Sequence, residues 1–300
     1  MAAESTTNEW ARSESAARPV GFGPTAETIA WYVVVIVLGL MFVGPFIWTV
    51  GSSLKNPTEL FIYPPRAWPS VPEWHNYLEI WTFVPLLTFI ENSVIAGGLT
   101  TIGQTLSAAA VGYGFARFKF PGRDVLFLAL LGTLVVPQQV TMVPTFLLYK
   151  YLGWLDTLLP LWVPAWFGGG AFFIFLMRQF FMALPRELDD AAEIDGAGTV
   201  RVFWDILLPL TIPALATVAI FAFLWNWNDF LSPLIYLNSE QHFTLPLGLR
   251  FFQQEAGTGG TPHEQLLMAA SVVDTIPPII LFFALQRYFI RGIVMTGIKG

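Results

Sequence analysis

Six amide or carboxylate side chains lie in or at the edges of otherwise apolar stretches: Asn92, Gln138, Gln139, Asn226, Asn228 and Asp229, with Trp225 and Trp227 interleaved among the last three. Polar groups at membrane depth are costly and usually face a bundle interior or a cavity. The chemistry open to this set is recognition of a polar solute. Amides and a carboxylate can bond hydroxyls, and the faces of Trp225 and Trp227 can stack on a sugar ring. The same residue types also serve to satisfy interhelical hydrogen bonds or broken backbone beside Pro137, Pro213 and Pro233. Both readings stand at this level.

Covalent chemistry finds little support. There is no G-x-x-x-x-G-K-[ST] phosphate loop, no H-E-x-x-H and no G-x-S-x-G elbow. His75, His242 and His263 are far apart and read as solvated residues rather than metal ligands. Cysteine is absent, which removes disulfides, thiolate catalysis and cysteine metal sites. The net charge of -6 gives no reason to expect nucleic acid. Any uphill work must draw its energy from elsewhere.

The elements that must position these residues are membrane helices. Of 300 residues, 55% are hydrophobic and 12% charged, about half the charged share usual in a soluble domain. Roughly 20 apolar residues cross a hydrocarbon core about 30 Å thick. Six windows qualify: Thr28–Val50, Asn92–Ala116, Val125–Tyr149, Thr157–Met177, Ile206–Asn228 and Leu266–Gln286, charged only at Asp274 in the last. The expected fold class is therefore an all-α, six-helix integral membrane protein. Residues 1–27, rich in Ala, Ser, Thr and Glu, read as a disordered tail without the basic start of a signal peptide.

Positive residues flanking spans are retained on the cytoplasmic side. With both termini inside, Arg12, Arg18, Arg117, Lys119, Arg123, Arg178, Arg186, Arg201, Arg287, Arg291 and Lys299 are cytoplasmic, and only Lys55, Arg66, Lys150 and Arg250 lie outside. The external segment 51–85, with six prolines and Trp68, Trp74 and Trp81, reads as an interfacial apron. A second external segment, 237–265, is polar and glycine-rich and long enough to reach a partner. In the second span the pairs Ala108/Gly112 and Ala110/Gly114 allow another helix close approach.

The segment from Pro185 to Pro209 is the most informative. Pro185 suits a first helical position, and Glu187, Asp189 and Asp190 complement the positive end of a helix dipole. Gly196 and Gly198 can end that helix in a left-handed turn, and Thr199 can cap a second one. Asp190-Ala191-Ala192, then Gly196, then Ile206, Leu208 and Pro209 resembles the E-A-A-x-x-x-G-(nine residues)-I-x-L-P pattern of permease subunits of binding-protein-dependent ABC importers, with Asp190 in place of the glutamate. Trp74-His75-Asn76-Tyr77, Trp227-Asn228-Asp229-Phe230, Gln286-Arg287-Tyr288-Phe289 and Gly297-Ile298-Lys299-Gly300 resemble further elements of its sugar-transporting, MalG-like branch.

That resemblance implies a type I ABC importer permease (MetI-like) fold over 28–300 in a prokaryotic inner membrane, with a coupling helix in loop 185–205. Asp190, Ala191, Ala192, Gly196, Ile206, Leu208 and Pro209 would dock on an ATPase subunit dimer that binds ATP and magnesium, leaving this chain without cofactor or catalytic residue. It also implies a second, MalF-like permease subunit and an extracytoplasmic solute-binding protein. The expected cargo is a sugar, an oligosaccharide or glycerol phosphate, the alternative another small polar solute. The competing class is a proton-coupled carrier using Glu91 and Asp274. Two acids so far apart make a poor relay, and such a carrier has no need of the hairpin.

Overall fold

The structure is a computed structural model that describes residues 26–168, 170–254 and 263–296. The chain separates into two units, Met1–Trp48 and Thr49–Gly300. Within the first, the described residues form most of helix α1, Ala26–Ser53, whose apolar stretch contains no buried residue. Ala26 and Glu27, expected in the tail, already belong to this helix. The rest of the expected tail lies outside the described residues.

The second unit is built on α3, Leu86–Arg117, which begins six residues before the expected second span. Against it pack α7 (Ala171–Ala183), α11 (Ile212–Trp227) and α15 (Glu264–Thr296), the last through α11 and through the short α2 (Asn76–Phe83). Two apolar cores hold these helices at opposite ends of α3. One joins Leu86 and Phe89 to Ile80, Trp227, Leu245 and Leu266. The other joins Ala108, Ala109 and Tyr113 to Phe173, Met177, Phe181, Phe203 and Leu207. Of the two small-residue pairs, only Ala108/Gly112 makes the close approach. A methyl at Gly112 would lie 2.8 Å from Met177 Cβ and 2.9 Å from the Arg178 backbone nitrogen.

Among the described residues, four helical stretches are long and apolar enough to cross a membrane, or six if two bent pairs each count as one span. The third expected span is one such pair. It runs through α4 (Arg123–Gly132), a 3-10 turn and α5 (Gln138–Tyr151), with its two halves at 100°. Pro137 lacks an amide donor and holds Val136 in an extended conformation, so the helix cannot continue. The fourth span is α6 (Leu159–Trp162), a 3-10 turn and α7, ending at Ala183 rather than Met177. The fifth is also corrected. Ile206, Leu208 and Pro209 precede α11 in a segment bent 79° from it, made of α9 (Thr199–Arg201), a π-helical stretch (Val202–Leu207) and α10 (Leu208–Leu210).

Asn76 and Tyr77 close the end of α1. The Asn76 amide donates to the carbonyls of Ser53 (2.8 Å) and Lys55 (3.0 Å), and the hydroxyls of Tyr77 and Ser53 are 2.7 Å apart. These bonds satisfy carbonyls that a helix end leaves unpaired. Trp68, Trp74 and Trp81 are exposed.

Candidate functional site

An open cavity of about 560 Å³ lies where the bend of the third span meets α3, α6 and α11. Pro137 starts α5 at this bend and so turns Gln138 into the cavity, 3.5 Å from the Ser232 hydroxyl. Asn226 enters from α11 and donates to Gln104 Oε1 of α3 (3.3 Å) and to the Ala222 carbonyl (2.6 Å). Asp229 accepts from the Ser232 amide (3.1 Å) at the start of α12, Leu231–Tyr236. Trp225, Tyr149 and Tyr236 add aromatic surface. No Lys, Arg or His lines the cavity, and Asp229 is its one carboxylate among the described residues.

Four of the eight expected pathway residues, Gln138, Trp225, Asn226 and Asp229, therefore share one cavity. The other four are placed elsewhere. Asn92 is buried and donates to the carbonyls of Gln241 (2.9 Å) and Phe243 (3.0 Å), while Ser93 accepts the Leu245 amide (2.7 Å); together they staple the segment before α13, Leu245–Gly248, onto α3. Trp227 is buried in the core. Asn228 is exposed and returns its amide to the Leu224 carbonyl (2.7 Å). Gln139 is exposed outside the lining. Gln104 and Ser232 also line the cavity, single polar residues whose sequence neighbours carry no distinctive signal.

Asp156 ties the loop after α5 to the end of α12, its amide donating to the Tyr236 carbonyl at 2.8 Å. Its backbone φ is +58°, a left-handed value that Asp tolerates better than most residues. Its carboxylate accepts the amides of Asn238 (2.9 Å) and Ser239 (2.7 Å) and the Ser239 hydroxyl (2.5 Å), with His242 Nδ1 at 3.4 Å. These donors, the Ser239 hydroxyl foremost, hold the carboxyl well below its ordinary pKa.

The hairpin forms a second candidate site. Helix α8 runs Glu187–Ile194, two residues past Pro185, and Arg186 occupies the cap position. Gly196 takes φ +79°, as expected, whereas Gly198 is extended at φ −72° and itself occupies the cap position before Thr199. The two alanines diverge. Ala192 is buried in the chain's own core beside Val202 and Phe203, so it seats the hairpin on the bundle. Ala191 is exposed with Asp190, Ile194 and Val200. Asp189, rather than Asp190, carries the internal ion pair, with Arg117 at 3.3 Å; Arg117 also donates to the Leu184 carbonyl (3.2 Å). The end of α3 thereby grips the base of the hairpin.

The family model for binding-protein-dependent transport system inner membrane components matches residues 50–295. A probable ABC transporter permease protein, YurM, of Bacillus subtilis is 32% identical over 91% of this chain and 89% of its own length. The arabinooligosaccharides transport system permease protein AraQ of Halalkalibacterium halodurans is 34% identical over 92% of this chain and 99% of its own. The sn-glycerol-3-phosphate transport system permease protein UgpE of Yersinia enterocolitica is 32% identical over 88% and 94%. A chain of a bacterial ABC transporter involved in the import of alginate superposes with a TM-score of 0.75 over 89% of this chain and 99% of that one, at 23% identity. This last likeness concerns the fold.

Proposed function

Because the chain belongs to the family of binding-protein-dependent transport system inner membrane components, and so is a multi-pass permease subunit of an ABC importer, we propose that it conducts an uncharged saccharide. The observation that carries this choice is the cavity lining. Amides of Gln104, Gln138 and Asn226, the Ser232 hydroxyl and three aromatic rings surround a space with one carboxylate and no cation among the described residues. Hydroxyls of a neutral sugar find donors, acceptors and stacking faces there. A phosphate ester would instead meet Asp229 without a compensating Arg or Lys, and an unpaired buried charge is costly. Among the relatives' cargoes, an oligosaccharide fits better than a glycerol phosphate.

Family membership supports the following reading of the remaining machinery. A second permease subunit completes the pathway, a solute-binding protein delivers cargo from outside, and an ATPase dimer binds ATP and magnesium inside. The permease domain spans 28–300, and both termini lie on the cytoplasmic side, in keeping with its excess of Lys and Arg. The exposed edge of the hairpin, Asp190, Ala191 and Gly196, meets the ATPase, while Ala192, Ile206, Leu208 and Pro209 carry its movement into α11. ATP-driven exchange of helix contacts makes a proton relay through Glu91 and Asp274 unnecessary.

The test is uptake by proteoliposomes holding the assembled importer. Labelled arabino-oligosaccharide should accumulate with ATP, and glycerol 3-phosphate should neither accumulate nor compete. Preferential uptake of the phosphate ester would overturn the neutral-sugar assignment.

A further inference from the structure

Four arginines converge on a second pocket, at the end of the bundle from which the hairpin projects. Arg117 ends α3, Arg123 begins α4, Arg178 lies near the end of α7 and Arg186 caps α8; Phe115 and Met182 complete the wall of a space of about 260 Å³. The carboxylates paired with these arginines are Asp189, on Arg117 (3.3 Å), and Asp124, on Arg123 (2.9 Å). Two of the four positive charges are therefore unbalanced by ion pairs among the described residues. The Arg117 side chain is 6% exposed. The Nε atoms of Arg117 and Arg178 are buried without a hydrogen-bond partner among the described residues. The Arg178 guanidinium lies 4.1 Å above the Phe127 ring, which fixes its plane.

A cluster of this kind is costly to assemble unless an anion offsets it. Guanidinium forks match phosphate oxygens in pairs, which a lone lysine cannot do. The walls then set the source of the phosphate. Met182 of the lining is exposed and apolar, as are Val125, Leu126 and Leu128 on the α4 that begins at Arg123, so surface suited to acyl chains lies on the elements that form the pocket. Its position at the end of an apolar helix is the depth of the headgroup layer, where basic pockets between spans bind acidic lipids. The space is smaller than the roughly 300 Å³ lower limit for a metabolite pocket, which suits a phosphodiester entering from the side. We propose that this pocket binds the phosphate of an anionic phospholipid and that the lipid braces the joint between α3, α7 and the hairpin.

The full chain, purified in neutral detergent, can be titrated with short-chain phosphatidylglycerol, with phosphatidylcholine of equal chain length and with inorganic phosphate, reading bound lipid by native mass spectrometry. Phosphatidylglycerol should bind more tightly than phosphatidylcholine. Arg178→Gln and Arg186→Gln should each weaken it about fivefold, the effect of one basic residue near an acidic headgroup. Lys119→Gln, a nearby cation outside the pocket lining, should leave binding unchanged. Arg186 is exposed, so its variant stays informative even if Arg178→Gln folds poorly. Three results would each overturn the proposal: equal affinity for both lipids, equal weakening by Lys119→Gln, or inorganic phosphate binding as tightly as phosphatidylglycerol.

Discussion

The indole N–H of Trp227 donates to Asp274 twice, at 3.0 Å to the carboxylate and 3.1 Å to the backbone carbonyl, and so ties the last turn of α11 to α15. Two positions earlier, Trp225 is 55% exposed and lines the cavity. One tryptophan holds the wall and the other faces the space it encloses.

Trp227→Phe keeps most of the apolar bulk but strands the Asp274 carboxylate, at a cost of about 1–3 kcal/mol. Its thermal unfolding midpoint in detergent should fall. Trp225→Leu should lose less stability and more transport, seen as a higher KM for sugar uptake. The reverse pattern in the two variants would exchange their roles.

Asp229→Asn keeps an oxygen for the Ser232 amide and removes the cavity's charge. Neutral-sugar uptake should change by less than about threefold, while inhibition by sugar phosphates should rise about tenfold, the ratio that 1.4 kcal/mol of relieved repulsion corresponds to. Asn228→Ala, outside the cavity, should match the parent in KM. Loss of transport in Asn228→Ala, with Asp229→Asn silent, would move the pathway away from this cavity.

At the hairpin, Gly196 holds φ +79° with open space around the position of a Cβ. Asp is one of the few residues that tolerate this conformation, so Gly196→Asp should assemble in the membrane yet uncouple ATP hydrolysis from uptake by placing a carboxylate on the exposed tip. Ala191→Arg should likewise spare folding and weaken ATPase association. Ala192→Arg should instead reduce the amount of folded protein, because the added charge enters a buried site. Comparing ATPase co-purification with membrane yield separates these outcomes.

Asp156 gives a pH signature. Its carboxyl is held below the ordinary value of 3.8 by the Ser239 hydroxyl, the amides of Ser239 and Asn238, and His242. A depressed folded-state pKa stabilises above the unfolded value, and that stabilisation is lost as pH falls through the folded one. The contribution should thus be constant at neutral pH and disappear only in acid below about pH 4. Asp156→Asn retains the positive φ but loses the charge. Its stability deficit, measured by thermal unfolding across pH, should be full at pH 7 and shrink below pH 4. A deficit independent of pH would show that the charge contributes nothing.

Much of this was legible in the residues. Backbone groups must be satisfied internally in lipid, so long apolar runs read directly as helices, and Gly196 could be read as a turn because its conformation excludes most side chains. Trp225 and Trp227 show where the reading stops. A helix turns about 100° per residue, so side chains two apart point some 200° apart and the pair could not share one face. Which of them met the cavity depended on where α15 lay. Likewise Ala108/Gly112 and Ala110/Gly114 have the same spacing, and only the position of α7 made the first pair the packing face.

Local rules therefore reached as far as the apolar stretches and the hairpin's spacing, because hydrophobic length and the positive φ of glycine act within a few residues, whereas the third and fifth stretches, expected to be continuous, are bent by 100° and 79°. The assignment of Ala192 to the core and Ala191 to the surface, of Asp189 rather than Asp190 to Arg117, and of Gln104 to a cavity with Asn226 required the packed molecule. Those relations join residues up to 122 positions apart. What sets them is the direction each helix takes after Pro137 and Thr211, and that direction is a property of the faces that meet rather than of either segment alone.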